Sequence, residues 1–377
     1  MSKKTLHECA IITMGQSPNS KSYNGHGDGL PFYQGNADFG EINPIRRYYC
    51  NKPSKIANRN DILLSVRAPI GAVNIAVETC CIGRGLCAIS EKRDITYYKY
   101  LYYFLLSRHT ELNSKGTGST FKAISKSILL ELSISLPPIE EQKRISRILD
   151  KVNDLISLKK KQISKLDLLV KSRFVEMFGD PVMNTKRWEI GTIRDLVRDV
   201  KYGTSKPAEE HGKHIYLRMN NITYNGSIDL TNIKHINVSD KDYEKYVVHK
   251  GDLLFNRTNS KELVGKTAVF KEDTQMIIAG YIIRVRTNEK ANPEYVSAFL
   301  NSKYGKEMLY DMCKAIVGQA NINAQELQNI KIPIVPLDLQ NQFAEFVQQV
   351  DKLEFELQKS LNELTTLYNA LMQKYFG

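Results

Sequence analysis

The 377-residue sequence predicts an α+β chain made by internal duplication, in which two similar mixed α/β modules alternate with two long helices about a pseudo-two-fold. Three observations predict it. SLPPIEEQKRISRILDKVNDL (135–155) is echoed by IVPLDLQNQFAEFVQQVDKLE (334–354), so that Pro138, Ile139, Glu140 and Gln142 align with Pro336, Leu337, Asp338 and Gln340. Phe178-Gly179 recurs as Phe376-Gly377 at the same offset of 198. Between these landmarks apolar residues recur at steps of three and four, the period of a helical seam. The spans that follow are a first module at 1–137, a central helix at 138–180, a second module at 181–335 and a distal helix at 336–377. At about 100–200 residues per domain, the length accommodates two modules with adequate cores.

The first module alternates short β-branched and aromatic runs, LPFYQGN, DILLSV and AVNIAV, with turn residues, and has one helix-like stretch, Tyr97–Ser107. The second repeats the grammar with HIYLRMNNI, DLLFNR, KTAVF and IIRVR, and a helix-like Tyr295–Ser302. RNDILLSVR (59–67) parallels KGDLLFNRT (250–258), and GTGSTFKAISKSIL (116–129) parallels VGQANINAQELQNI (317–330). GQSP (15–18) and GTSKP (203–207) open the two modules. A compact, partly barrel-like module is expected in each half, not a dinucleotide-binding sheet.

The central helix starts after Pro137-Pro138 with Glu140-Glu141, acidic residues suited to the positive end of the dipole, and stops at Gly179 before Asp180-Pro181. Its core is assigned to Ile145, Ile148, Val152, Leu155, Leu166 and Val170; that of the distal helix to Val350, Leu353, Leu357 and Leu364. Helices this long and amphipathic need a partner. Residues 140–178 carry +4 and residues 338–376 carry −3, so the two can pair within one chain.

The charge points outward. The formal net charge is +12, and about +11 of it lies outside the helices, which suggests an acidic partner, nucleic acid first and an anionic membrane surface second. There is no run of about 18 apolar residues and no signal-peptide core at the N-terminus, so a cytoplasmic location is expected. The six cysteines, Cys9, Cys50, Cys80, Cys81, Cys87 and Cys313, include no C-x-x-C pair and read as reduced, mostly buried thiols. His211 and His214 stand three apart without a supporting cluster, so no metal site is assigned.

Catalytic motifs are absent. KGTGST (115–120) has two glycines but not the full phosphate-binding fingerprint, and no Walker, H-E-x-x-H or G-x-S-x-G motif occurs. Asn292-Pro293-Glu294-Tyr295 superficially resembles the Asn-Pro-Pro-Tyr motif of adenine-N6 methyltransferases but lacks the second proline, and reads as a helix start.

LPPIEEQKRISRILDKVNDLI (136–156), KSRFVEMFGDP (171–181) and VPLDLQNQFAEFVQQVDKL (335–353), with GQSP and GDLLFNR (251–257), resemble the specificity subunits of type I restriction-modification systems over essentially the whole chain. The resemblance implies two target-recognition domains, each reading half of a split, asymmetric site on double-stranded DNA, held apart by antiparallel coiled-coil helices that act as a spacer ruler. It also implies two docked methyltransferase subunits, which use S-adenosylmethionine on adenine N6, and nuclease–translocase subunits, which use ATP, as further partners. Neither cofactor is expected in this chain, and no catalytic residue is assigned. The rival readings are a self-contained DNA-modifying enzyme and a basic coiled-coil scaffold.

Lys and Arg are expected on phosphates, and Arg, Asn, Gln, Ser and Thr of loops on base edges. The candidates in the first module are Gln16, Ser17, Arg46, Arg47, Arg67, Lys115, Ser119, Thr120 and Lys122. Those in the second are Tyr202, Thr204, Lys206, Arg218, Asn220, Asn221, Arg257, Asn259, Lys261, Gln319, Asn321 and Asn323. Arg67 and Arg257 lead the two sets, each after a matching D-I/L-L strand.

Overall fold

The computed structural model describes residues 2–117, 122–316 and 319–377. It divides into two compact units, the first of residues 1–159 with 360–377, the second of residues 160–359. Each unit therefore combines one globular module with pieces of both long helices.

The two modules share a strand order. In the first, an antiparallel sheet runs Ala10–Met14, Leu86–Glu91, Ile62–Ser65, Val73–Ile75. In the second the order is Val197–Tyr202, Ile282–Thr287, Leu253–Asn256, Thr267–Val269. A second sheet follows in each, with one parallel pairing: Leu30–Tyr33 on Cys80–Ile82, and His214–Leu217 on Met276–Ile278. The central strands are buried along their whole length, as the continuous apolar runs ILLS and LLFN require.

Each module is closed where it meets its helix. Ser2–Thr5 pairs antiparallel with Ser133–Leu136, and Glu189–Thr192 with Lys331–Ile334. The central helix, Ile139–Phe178, and the distal helix, Leu337–Phe376, then begin. At 1.5 Å per residue, 40 residues give each about 60 Å.

The aligned glutamines explain the shared motif. Gln142 is fully buried; its amide donates to the carbonyls of Ile95 and Pro137 and accepts from the Tyr97 amide. Gln340 donates to Lys290 and Val335 and accepts from Asn292 in the same way. A carboxylate could not donate there, so each glutamine is a staple between a helix start and its module. Asn292 also caps the helix Pro293–Asn301, with Pro293 at its first position, so Asn-Pro-Glu-Tyr is a helix start.

The helix ends complete the cores. Phe178 packs edge-on to Tyr295 in the second unit, 4.8 Å between centroids; Phe376 packs on Tyr100 in the first at 4.9 Å. Those tyrosines donate to equivalent carbonyls, Pro333 and Ser135. Ile145 and Leu149, near the start of the central helix, share a core with Phe376, so within the first unit the helices run antiparallel.

The seam differs in phase from the assignment. Ile145, Val152, Leu166 and Val350 are buried, and Ile148, Val170, Leu357 and Leu364 are half-buried. Leu155 and Leu353 are instead 45% and 52% exposed. Ile156 takes the buried place beside Leu155, and Leu149 that beside Ile148. Next to Leu353 the seam position is Glu354, whose carboxyl is pushed up by burial and by Asp351 and Asp167 nearby.

All six cysteines are free, five of them buried, and burial pushes the Cys87 thiol up to about 12. Among the described residues no cluster of His, Cys, Asp or Glu could hold a metal, and no helix is long and apolar enough to cross a membrane.

Candidate nucleic-acid interface

The strand registers superpose the two modules residue by residue. Ser65 pairs with Leu86 as Asn256 pairs with Ile282. The next amides, Val66 and Arg257, donate to Gly85 and Tyr281, and their carbonyls accept from Ile124 and Ile322. Val66 is therefore the counterpart of Arg257. Arg67, the lead candidate of the first module, corresponds to Thr258, one residue on, as the parallel of RNDILLSVR with KGDLLFNRT has it. In the second sheets Tyr33 and Leu217 accept from Gly83 and Ala279, which makes Gln34 the counterpart of Arg218.

In the second unit these positions line a cavity of about 470 Å³, together with Thr204, Lys206, Asn220 and Tyr281. The Arg257 guanidinium lies 4.8 Å over the Tyr202 ring, and the Tyr202 hydroxyl accepts from the Ala324 amide. Stacking of this kind fixes the plane of the fork. Arg218 donates at one end to the Asn232 carbonyl, at 3.1 Å. The enclosed Nε atoms of both arginines have no hydrogen-bond partner.

Other candidates of the second module serve the fold. Thr204 is buried, and its hydroxyl accepts from the Lys206 amide. Asn221 is buried and fully used, accepting from Arg218 and donating to Asp229 and Asn232. Asn323 caps the helix Ala324–Gln328. Asn321 accepts from the Thr258 hydroxyl, and Asn259 from the Ser260 amide. Lys206 pairs with Asp242 at 2.9 Å, and Lys261 lies 4.0 Å over Tyr310. Asn220 and Gln319 are exposed.

In the first module Gln16, Arg47, Arg67 and Lys122 are exposed, and Ser17 accepts weakly from the Arg84 amide at 3.4 Å. Arg46 is held by Glu78 and Lys115 by Glu111, so both charges have partners inside the fold. Ser119 and Thr120 lie outside the described residues.

Sequence reasoning missed Gln34, Tyr281, Lys266 and Lys306. Lys266 donates to the Met219 carbonyl at 2.8 Å. Lys306 lies 4.8 Å over Tyr224 with its Nζ enclosed and unpartnered. Burial and the charges of Lys171 and Lys266 hold its amine down to about 8. The strand alignment would have exposed Gln34; a buried lysine among lysines leaves no sequence signal.

Such surfaces suit a polyanion with readable edges. A family model described as Type I restriction modification DNA specificity domain matches residues 1–168 and 185–366. The chain belongs to this family. It is 46% identical over 156 residues to a putative type I restriction enzyme MjaX specificity subunit of Methanocaldococcus jannaschii, a match covering 41% of this chain and 37% of that one. Longer matches reach the EcoBI specificity subunit of Escherichia coli, at 21% identity over 99% of this chain and 84% of the relative. The MjaIX subunit of M. jannaschii matches at 26%, over 98% and 91%. Among solved structures, the S subunit of a type I system from M. genitalium has the same fold, with a TM-score of 0.64 at 18% identity over 100% of this chain and 96% of that one. The DNA specificity family has two matched segments here, each spanning one module and most of the long helix that follows it. Its role is recognition of DNA sequence.

Proposed function

We propose that this chain reads an asymmetric, bipartite site on duplex DNA, one half-site per module, and supplies no chemistry of its own. The observation that carries the reading is the duplication with divergent faces. The two modules share strand order and helix staples, yet Arg218 and Arg257 in one stand where Gln34 and Val66 stand in the other. A common scaffold with different polar tips suits two different half-sites.

The helices are the spacer. Half-sites one turn apart lie about 34 Å centre to centre, within the reach of helices of about 60 Å. Partner docking is supported by apolar residues left exposed on the helices, among them Leu158, Leu168, Leu169 and Phe355. On this reading two methyltransferase subunits bind here and bring S-adenosylmethionine for transfer to adenine N6. Nuclease–translocase subunits, where present, bring ATP. The complex works in the cytoplasm, where its DNA is.

The test is methylome sequencing of cells with and without the gene. The expected result is one bipartite methylated motif lost with the gene. Exchanging residues 1–135 for those of another such subunit should change one half-site and leave the spacer. Loss of no motif, or a change in both half-sites on that exchange, would overturn the proposal.

A further inference from the structure

The cavity of the second unit has a more specific meaning. Two arginines in this module's core are neutralised: Arg284 by Asp199 at 2.9 Å and Arg286 by Asp252 at 2.9 Å. Among the described residues no ion pair involves Arg218 or Arg257, although the two line one recess. An enclosed, unpartnered Nε is common to both and to Arg284, so it does not set them apart. What does is that their forks, unlike those of Arg284 and Arg286, have no carboxylate among the described residues, and the Nη ends are the donors that a ligand in the recess would meet.

Which acceptor it takes follows from geometry. Phosphates are met well by mobile lysines at the rim, and a phosphate contact needs no fixed plane. Arg257 is fixed: its fork is stacked on Tyr202, which the Ala324 amide holds in turn. Arg218 is tethered through Asn232. The walls between them include Tyr216, Met219 and Tyr281, apolar surface suited to a base and not to a solvated phosphate. A planar fork against an apolar wall matches the O6 and N7 acceptors of guanine, the pair that arginine meets bidentately. The first module has Gln34 and Val66 at the same register positions, and no guanidinium there.

We infer that Arg218 and Arg257 read guanine in the half-site of the second module, and that the first half-site is read without arginine at either position. The inference rests on the DNA-reading function proposed above. It makes Tyr202 a positioning residue, which sets the Arg257 plane without touching the base.

The test is methylome sequencing of cells carrying the gene with its partner subunits, as wild type and as R218K, R257K, R218Q and R257V. The lysine variants keep the charge and lose the fork. The wild-type motif is expected to contain G·C in one half-site, the one that survives exchange of residues 1–135. R218K and R257K should each relax discrimination at one such position by roughly 5- to 150-fold, the range for a bidentate pair, with the other half-site and spacer unchanged. Y202A should behave as R257K, and Y202F, which keeps the ring but loses the hydroxyl held by the Ala324 amide, should fall between Y202A and wild type. Thermal unfolding of each purified variant separates lost reading from lost fold. A motif whose second half-site lacks G·C overturns the inference and leaves the bipartite reading standing. So does a pattern in which the lysine variants keep full discrimination while R257V lowers methylation evenly at all sites, the mark of a phosphate contact. Absence of any site-specific methylation overturns both.

Discussion

The two modules place the same backbone around different cores. At the centre of the main sheet the first has Ala88 opposite Leu63; the second has Arg284 opposite Leu254. Arg284 is 1% exposed. It donates to Asp199 and to the Val247 carbonyl, while Asp252 binds Arg286. The counterpart of Asp199 is Ile11, on the exposed edge strand of the first sheet. The counterpart of Asp252 is Asp61, and both close a turn, accepting from His249 and Asn58 respectively. One aspartate thus keeps an ancestral turn role in both modules and gains a charge role in one. The lesson is that the duplicated frame tolerates a buried ion network in place of an apolar core where, as for Arg284 and Arg286, each guanidinium meets a carboxylate.

The sharpest way to break that comparison is to remove the shared aspartate from each module. D252A should destabilise the second unit by about 3–5 kcal/mol, because it leaves the Arg286 guanidinium without a partner and the His249 turn amide unpaired, while Arg284 keeps Asp199. D61A should cost only about 1–2 kcal/mol, the loss of a turn hydrogen bond. Since two units need not unfold together, hydrogen exchange followed peptide by peptide is the appropriate measurement. Equal effects would mean that the network contributes nothing beyond the turn.

Where the modules agree, substitutions should agree. F376A and F178A should each cost about 3–5 kcal/mol, the usual loss for a buried phenylalanine. The first should loosen only the N-terminal module, although Phe376 is the penultimate residue of the chain. Q142A and Q340A should each cost roughly 2–3 kcal/mol by leaving two carbonyls and an amide unpaired. A large asymmetry between the two glutamines would show that the staples are not equivalent.

How much of this was legible beforehand follows the same division. The duplicated helices and their staples were legible, because Pro138…Gln142 and Pro336…Gln340 are local patterns with one structural meaning. The seam's phase was not: from Val152, steps of three and four reach Leu155 and Ile156, both apolar, and only packing chooses between them. Asn323 could have been recognised as a cap from Glu326 three residues on, the capping-box spacing. Arg257 was singled out, but its partnership with Arg218 across two sheets depends on register, which periodicity does not encode. Arg284 was hidden inside IIRVR for the same reason.

The smallest expected effect concerns charges that the second module leaves uncompensated. After the helices 98–107 and 293–301, the first module places Arg108 and Lys115 around Glu111. The second places Lys306 against Lys266 and Lys171. With its amine held near 8, below the ordinary lysine value of 10.5, Lys306 binds its proton less tightly folded than unfolded. The unfolded chain therefore binds more protons between about pH 8 and 10.5, and stability from this group rises with pH across that interval; below about 8 the full cost of the charge is present. K306M should accordingly raise the melting temperature of the second unit at pH 7, with an advantage that shrinks through pH 8–10. An advantage that persisted unchanged at pH 10 would locate the gain in packing and not in the removed charge.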